Sequence, residues 1–465
     1  MIEVLPDKML LNIFRHFLEI SPRHWPTLMH ICRKWRHIVF VSHQTLQIRL
    51  FCTHGKPVLK TLDCWPELPI VVQYGGMPAL HPPSPKDEDN IMAALNLSHR
   101  VTSIGLTVTR SLLKKLSAVE RPFSELEELV LLGLSGKTRQ LTLPSAFQWG
   151  LRLRRLYMTG VDFPSPFWLL QPSPNLVDLH IHQVYDYPHH SPEALTSALC
   201  GMVQLRSLSL DILRIAITDL RTPFPPSRER IILPYLTCFK FRGADTYLEA
   251  LVTRMDTPRL GDIEVKFTQF DESDFRLLNI RKFTDRIGMH KSYRRADFLF
   301  AENASSLSLT RPGHPTRLKF QLSDSTLTGH GVVMDQICTH FSASLDSVED
   351  LRISMSQEDR FTDWIQYWLQ HIELFARAMW FHLDGCYDYT TNILHAMQQP
   401  EWRETVLPAL YKLYIPQPGP NHAPSMEAVV SFMTSRRLSG KPIVVEYEGH
   451  IGEQRGTIQA QSHDH

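Results

Sequence analysis

The sequence predicts an α/β protein, with a small N-terminal helical module followed by an irregular solenoid of parallel strands with helices outside. Three observations carry that expectation. Apolar residues recur at helical spacing over residues 1–50. From Val101 onward one short apolar line returns again and again. Between the lines lie stretches with helical periodicity, such as Ala194, Leu195, Ala198, Leu199 and Leu248, Leu251, Val252, Met255. Strand, loop, helix, loop, repeated, builds a parallel sheet with helices on its outside.

The helical module reads as three short segments. Pro6 suits the first turn of a helix, where its missing N–H costs nothing, and Asp7 sits near the positive helix end. Leu10, Ile13, Phe14 and Phe17 then form one stripe, which Ser21-Pro22 interrupts. Trp25, Leu28 and Met29 mark a second segment. Ile31, Cys32, Trp35, Ile38 and Val39 mark a third, with Arg33, Lys34 and Arg36 off the stripe. Such a piece carries more large apolar groups than three thin helices can hide, so it packs on the remaining chain or on a partner.

The recurring line is an apolar residue, two variable ones, an apolar, a variable and an apolar. It reads Val101/Ile104/Leu106, Leu126/Leu129/Leu131, Leu153/Leu156/Met158, Leu176/Leu179/Ile181 and Leu205/Leu208/Leu210. Looser copies are Leu236/Phe239/Phe241, Leu260/Ile263/Val265, Val348/Leu351/Ile353 and Leu410/Leu413/Ile415. The first seven begin 23 to 31 residues apart. The spacing straddles that of leucine-rich repeats, about 20–29 residues. The last two apolar residues of a line alternate and so face one side of a short strand. No single unit can bury that side; stacking does. The asparagine usual after the third apolar residue of such repeats is missing from most copies, which predicts irregular repeats.

Periodicity fails over 270–345. There Ala296–Phe300, Ser305–Thr310 and Arg317–Leu322 alternate apolar and polar residues around turn-prone segments, which predicts two hairpins. Residues 51–95 read as a connector or capping unit, in which Leu62, Trp65, Leu68 and Ile70-Val71-Val72 point to packing and His81–Asp89 to a surface loop. The solenoid is expected over 96–450, closing with a helix near Ser425–Arg437 and a strand near Pro442–Tyr447. A disordered tail is expected over 451–465.

Composition narrows the function. Hydrophobic residues make up 43% and charged residues 21%, with a formal net charge of +1. Bulk charge favours neither nucleic acid nor a membrane surface. The seven cysteines are scattered without a close pair, which fits a reducing compartment and no disulfide scaffold. Glu3 and Asp7, with no basic stretch ahead of a long apolar run, do not read as a signal peptide. No window approaches about 18 uninterrupted apolar residues. A cytoplasmic or nuclear location is the expectation.

Leu5-Pro6, Ile13-Phe14 and Cys32-Arg33-Lys34-Trp35-Arg36 together resemble the F-box, in order, spacing and N-terminal position. With the repeats and the closing Ser439-Gly440-Lys441-Pro442, the chain is similar to the large F-box families of basidiomycete (mushroom-forming) fungi. The resemblance implies a non-catalytic substrate receptor of a Skp–cullin–F-box ubiquitin ligase. Leu5, Pro6, Ile13, Phe14, Cys32 and Trp35 would dock to a Skp-type adaptor and, through it, to a cullin. The recognition would be of the helix-in-groove kind. The alternative is a repeat scaffold whose N-terminal helices only cap the solenoid.

Strand geometry places the candidate target-binding surface. Residues beside the apolar ones face the open side of the sheet: Arg155, Tyr157, Asp178, His180, His182, Ser209, Lys240, Arg242, Glu264, Lys266, Arg352 and Tyr414. Catalytic signals are weak. His382, Asp384, Cys386 and Asp388 cluster in sequence without a second ligand set of zinc-site spacing and read as ordinary polar surface. His189-His190 reads as exposed loop. Arg152, Arg154 and Arg155 read as a solvated edge rather than a nucleic-acid stripe. No cofactor or metal is expected.

Overall fold

The computed structural model describes residues 5–64, 67–74, 82–116, 119, 121–133, 141–142, 150–162, 173–185, 191–214, 230–270, 275, 277–289, 293–301, 304–314, 316–323, 327–355, 371–384, 387–416, 426–448 and 456–458. Trp65, His81, His189-His190, Cys386 and the tail Gln459–His465 lie outside them. The chain divides into two compact units, Met1–Leu205 and Arg206–His465.

The first unit opens with helices α1 (Asp7–Ile20), α2 (Trp25–Ile31) and α3 (Arg33–Val41). Cys32 is extended backbone (φ −157°, ψ 172°) rather than helix, and its Sγ accepts from the Trp35 N–H as the cap of α3. A parallel sheet follows: β1 (Leu50–Thr53), β2 (Ile70–Tyr74), β3 (Val101–Val108), β4 (Glu128–Gly133), β5 (Arg155–Thr159) and β6 (Asp178–Tyr185), paired in that order. The sheet thus begins at Leu50, not at 96. The β-branched run Ile70-Val71-Val72 is a strand buried in register with β3, so residues 51–95 supply strands as well as a connection.

The expected loop at 81–89 also needs correction. Pro85 is the first residue of α5 (Pro85–Leu95), which follows α4 (Val58–Cys64). Ser84 and Asp87 form a reciprocal capping box: Asp87 N–H donates to Ser84 Oγ at 3.2 Å, and Ser84 N–H to Asp87 Oδ2 at 3.3 Å. Helices α6 (Arg110–Leu116) and α7 (Pro192–Leu199) complete the unit's regular helices among the described residues.

The second unit continues the same construction. The strands of its main sheet are β7 (Ser207–Arg214), β8 (Cys238–Ala244), β9 (Asp262–Gln269), β10 (Arg295–Ala301), β11 (Ala304–Thr310), β12 (Arg317–Ser323), β13 (Asp350–Met355), β14 (Trp380–Asp384), β15 (Lys412–Pro416), β16 (Val444–Glu448) and β17 (Gly456–Ile458). Neighbours run β7-β8-β9-β12-β11-β10-β13-β14-β15-β16-β17. Pairing is parallel except around β11 and at β17. The two expected hairpins are therefore present, as a meander set into the parallel sheet itself. Helices α8 (Asp245–Thr253), α9 (Leu278–Arg286), α10 (Leu327–His340), α11 (Tyr387–Ala396) and α12 (Met426–Leu438) lie between strands.

The apolar lines become ladders. Ile104, Leu129, Leu156 and Leu179 are register partners, as are Leu106, Leu131, Met158 and Ile181. Leu208, Phe239, Ile263 and Leu318 repeat this in the second unit. All are essentially inaccessible. The first residue of each line closes a tight turn from three residues upstream: Leu126 N–H to Phe123 O, Leu205 to Met202, Leu236 to Leu233 and Leu410 to Leu407. Phe123, Met202, Leu233 and Leu407 are buried too, so these four units start one apolar residue earlier than their lines, whereas Ser98, Ser173 and Thr257 take that place before Val101, Leu176 and Leu260. Backbone bonds run from one turn to the next, such as Arg154 N–H to Glu127 O and Val177 N–H to Arg154 O. They satisfy strand-start amides without an asparagine ladder.

Candidate functional site

Helix α1 has two apolar faces. Leu10, Phe14 and Leu18 are buried, at the spacing of one helical stripe. Met9, Ile13, Phe17 and Ile20 form another and remain 52%, 48%, 36% and 71% exposed. Ile31 at the end of α2 and Phe40 and Val41 at the end of α3 are exposed as well. Lys34 ties the two termini together, donating to Leu5 O at 2.7 Å and lying 3.3 Å from Asp7 Oδ1.

The adaptor candidates fall into three environments. Ile13 and Pro6 are exposed; Leu5, Cys32 and Trp35 are half-buried. Phe14 has no accessible surface and belongs to the module's core against Trp35, so a partner cannot touch it in this arrangement. Met9, Phe17 and Ile20 are exposed on the same helix as Ile13 and were not among the sequence candidates. A helical wheel reveals them, because i, i+4, i+8 from Met9 reaches Ile13 and Phe17.

The module also packs inward. Trp25 is buried and donates Nε1 to Arg49 O at 2.9 Å, and Leu46 and Ile48 are buried beside the start of β1. Between α1 and the open face of the first unit's sheet lies a cleft of about 600 Å³. Its roof includes Arg15, Leu18 and Glu19, and its rim Gln47 and Arg49. Val71, Gln73, Ser103, Gly105, Val130 and Leu132 make its floor.

Beyond the cleft the first unit's open face is aromatic. Tyr157 is half-buried with His180 at 5.5 Å and His182 at 5.4 Å between ring centroids. Arg155 pairs with Glu128 at 3.4 Å across one strand, and Asp178 is its register partner on the other. Arg152 pairs with Glu125, consistent with a solvated edge.

The second unit's open face is an acid–base ladder. Glu264 lies 3.7 Å from Lys240, 3.3 Å from Lys319 and 3.3 Å from Arg317. Arg317 also meets Asp262 at 2.9 Å, and Arg242 meets the buried Asp211 at 3.6 Å. Ser209 is buried, whereas Lys266 is half-buried and makes no ion pair among the described residues. Lys240, Arg242 and Glu264 are thus already engaged by neighbouring charges, and each partly exposed pair contributes on the order of 0–1 kcal/mol.

His382 departs from its reading as ordinary polar surface. It is buried on the open face of β14, stacked on Tyr414 with ring centroids 4.1 Å apart, and its Nε2 lies 3.2 Å from Asp350 Oδ1. Arg352 lies 3.8 Å from the same oxygen. Burial alone would raise the Asp350 carboxyl, but the His382 hydrogen bond and the Arg352 and Arg295 charges hold it below the ordinary range. Asp384 accepts from Ser354 Oγ at 3.4 Å instead of facing His382 as a co-ligand. No grouping of three or more His, Cys, Asp or Glu side chains suited to a metal occurs among the described residues.

No family model matches the chain, and no curated protein matches it. No helix among the described residues is long and apolar enough to cross a membrane.

Proposed function

We propose that this chain is the substrate-recognition subunit of a Skp–cullin–F-box ubiquitin ligase, acting in the cytoplasm or nucleus. The observation that carries the reading is the outward stripe Met9, Ile13, Phe17 and Ile20 on a helix whose adjoining face, Leu10, Phe14 and Leu18, is already buried. An apolar stripe on a short N-terminal module favours burial in a partner's groove. The F-box-like residues Leu5-Pro6 and Cys32–Arg36 sit on the same module and support the adaptor as that partner.

In this reading the repeat sheets hold a target protein on their open faces and the chain contributes no nucleophile. Rate enhancement comes from proximity: the receptor raises the effective concentration of target lysines near a charged ubiquitin carrier elsewhere in the complex. The competing reading, a scaffold with a helical cap, accounts for Trp25 and Leu46 packed inward but leaves the outward stripe without a use. The test is a pull-down of the full chain with a purified Skp-type adaptor. Binding lost in Ile13→Asp with an unchanged melting temperature supports docking; undiminished binding favours the cap.

A further inference from the structure

We propose that the cleft beneath α1 is a binding site for a small amphipathic organic anion, its apolar body lying over Gly105 and its acidic group on Arg15. The inference is independent of adaptor docking, because Ile13 and Arg15 lie on different faces of α1 and only Arg15 lines the cleft.

Size comes first. About 600 Å³ falls within the range of small-molecule sites, roughly 300–1,000 Å³. Roof and floor belong to different elements, so a ligand is covered from two sides.

Shape comes from one residue. On the rung that runs Gln73, Gly105, Val130, Tyr157, every strand but β3 projects a side chain onto the open face. Neither backbone nor packing requires that glycine. It does not adopt a left-handed conformation, and a Cβ there would meet nothing closer than 3.8 Å. Its effect is to leave the floor bare where Val71, Val130 and Leu132 offer apolar walls.

Charge decides the ligand's polar end. Four charged side chains line the cleft: Arg15, Glu19, Arg49 and Glu128. Glu128 is matched by Arg155 at 3.4 Å and accepts from Ser103 Oγ at 3.1 Å. Arg49 faces Glu127 at 3.7 Å, and Glu19 lies 3.4 Å from His16, which answers its charge only when the imidazole carries a proton. Arg15 makes no ion pair among the described residues. Of the two cations that line the cleft, Arg15 is thus the one without a carboxylate partner among the described residues, and its planar guanidinium suits a carboxylate, sulfonate or phosphate.

The experiment titrates the full-length chain with anilinonaphthalene sulfonate, a flat aromatic anion, and with its uncharged counterpart phenylnaphthylamine, following fluorescence. Saturable single-site binding of both is expected. Gly105→Leu, which fills the floor, should weaken both by about tenfold or more. Arg15→Gln should weaken the sulfonate about tenfold and the neutral probe less than twofold. Ile13→Asp should change neither. Leu132→Phe fills the same space from β4 and replaces Gly105→Leu if that variant fails to fold. Wild-type affinity in the folded filled variant, or an Arg15→Gln effect equal for the two probes, overturns the proposal.

Discussion

Phe14 and Trp35 meet edge to face, their ring centroids 4.7 Å apart and their planes at 60°. The contact joins α1 to α3 and leaves Ile13, the residue before Phe14, pointing away from the core. Structural and docking roles are thereby split between adjacent residues. Phe14→Ala should destabilise the first unit by about 3–5 kcal/mol, as a deleted core ring does. Thermal unfolding followed by circular dichroism measures it.

Ile13→Asp and Phe17→Asp should leave that unfolding within about 0.5 kcal/mol, the usual range for surface changes. Each should weaken adaptor binding at least about tenfold, since a charge in an apolar groove is left without a partner. Surface plasmon resonance with the purified adaptor measures it.

Glu249 on α8 accepts from the amides of Asn279 at 2.7 Å and Ile280 at 2.9 Å, at the start of α9. Burial raises its carboxyl to about 7, against those two donors that hold it down. The native state therefore keeps a proton that the unfolded chain releases near 4.5. This contribution to stability is fully present below about 4.5 and is lost as the pH rises through about 7. Denaturant midpoints across that window should fall with pH for the native sequence, and the fall should flatten in Glu249→Gln.

Asp350 has the opposite sign. Its carboxyl is held down, chiefly by His382, so its contribution is present above the ordinary aspartate value and disappears on acidification through the lowered one. His382→Ala should shrink the stability difference between pH 6 and strongly acidic conditions. Guanidinium unfolding at the two pH values measures it.

Arg436 on α12 is buried, and its guanidinium donates to Leu407 O at 3.0 Å. Leu407 adopts a left-handed backbone (φ 47°) at the turn that precedes β15. Arg436→Ala removes that donor and leaves a carbonyl to find water. A loss of about 1–3 kcal/mol is expected, read from urea midpoints.

Much of the sheet was legible because an apolar ladder needs leucine-like residues at fixed spacing. Where the first position was not a large aliphatic residue, the same physics was hidden. Ala378/Phe381/Leu383 and Tyr293/Ala296/Phe298 are full lines of buried residues that escape a search for leucine. Ser84-Pro85 looked like a loop because its prolines hid a capping box. The site was less legible. Composition does not say which acid meets which base across a sheet, so paired residues such as Glu264 and Lys240 looked available. Nor does it mark a cleft whose floor is the lack of a side chain at Gly105.

The meander β10–β11–β12 has a kinetic consequence. Its rungs join residues close in sequence, Ala301 with Ala304 and Thr310 with Arg317, whereas the flanking rung joins Asp262 with Arg317 across a whole crossover. Closing short loops costs less chain entropy. The irregular stretch is thus a cheap seed: a locally zipped ribbon, open at both margins, onto which later strands can crystallise in either direction.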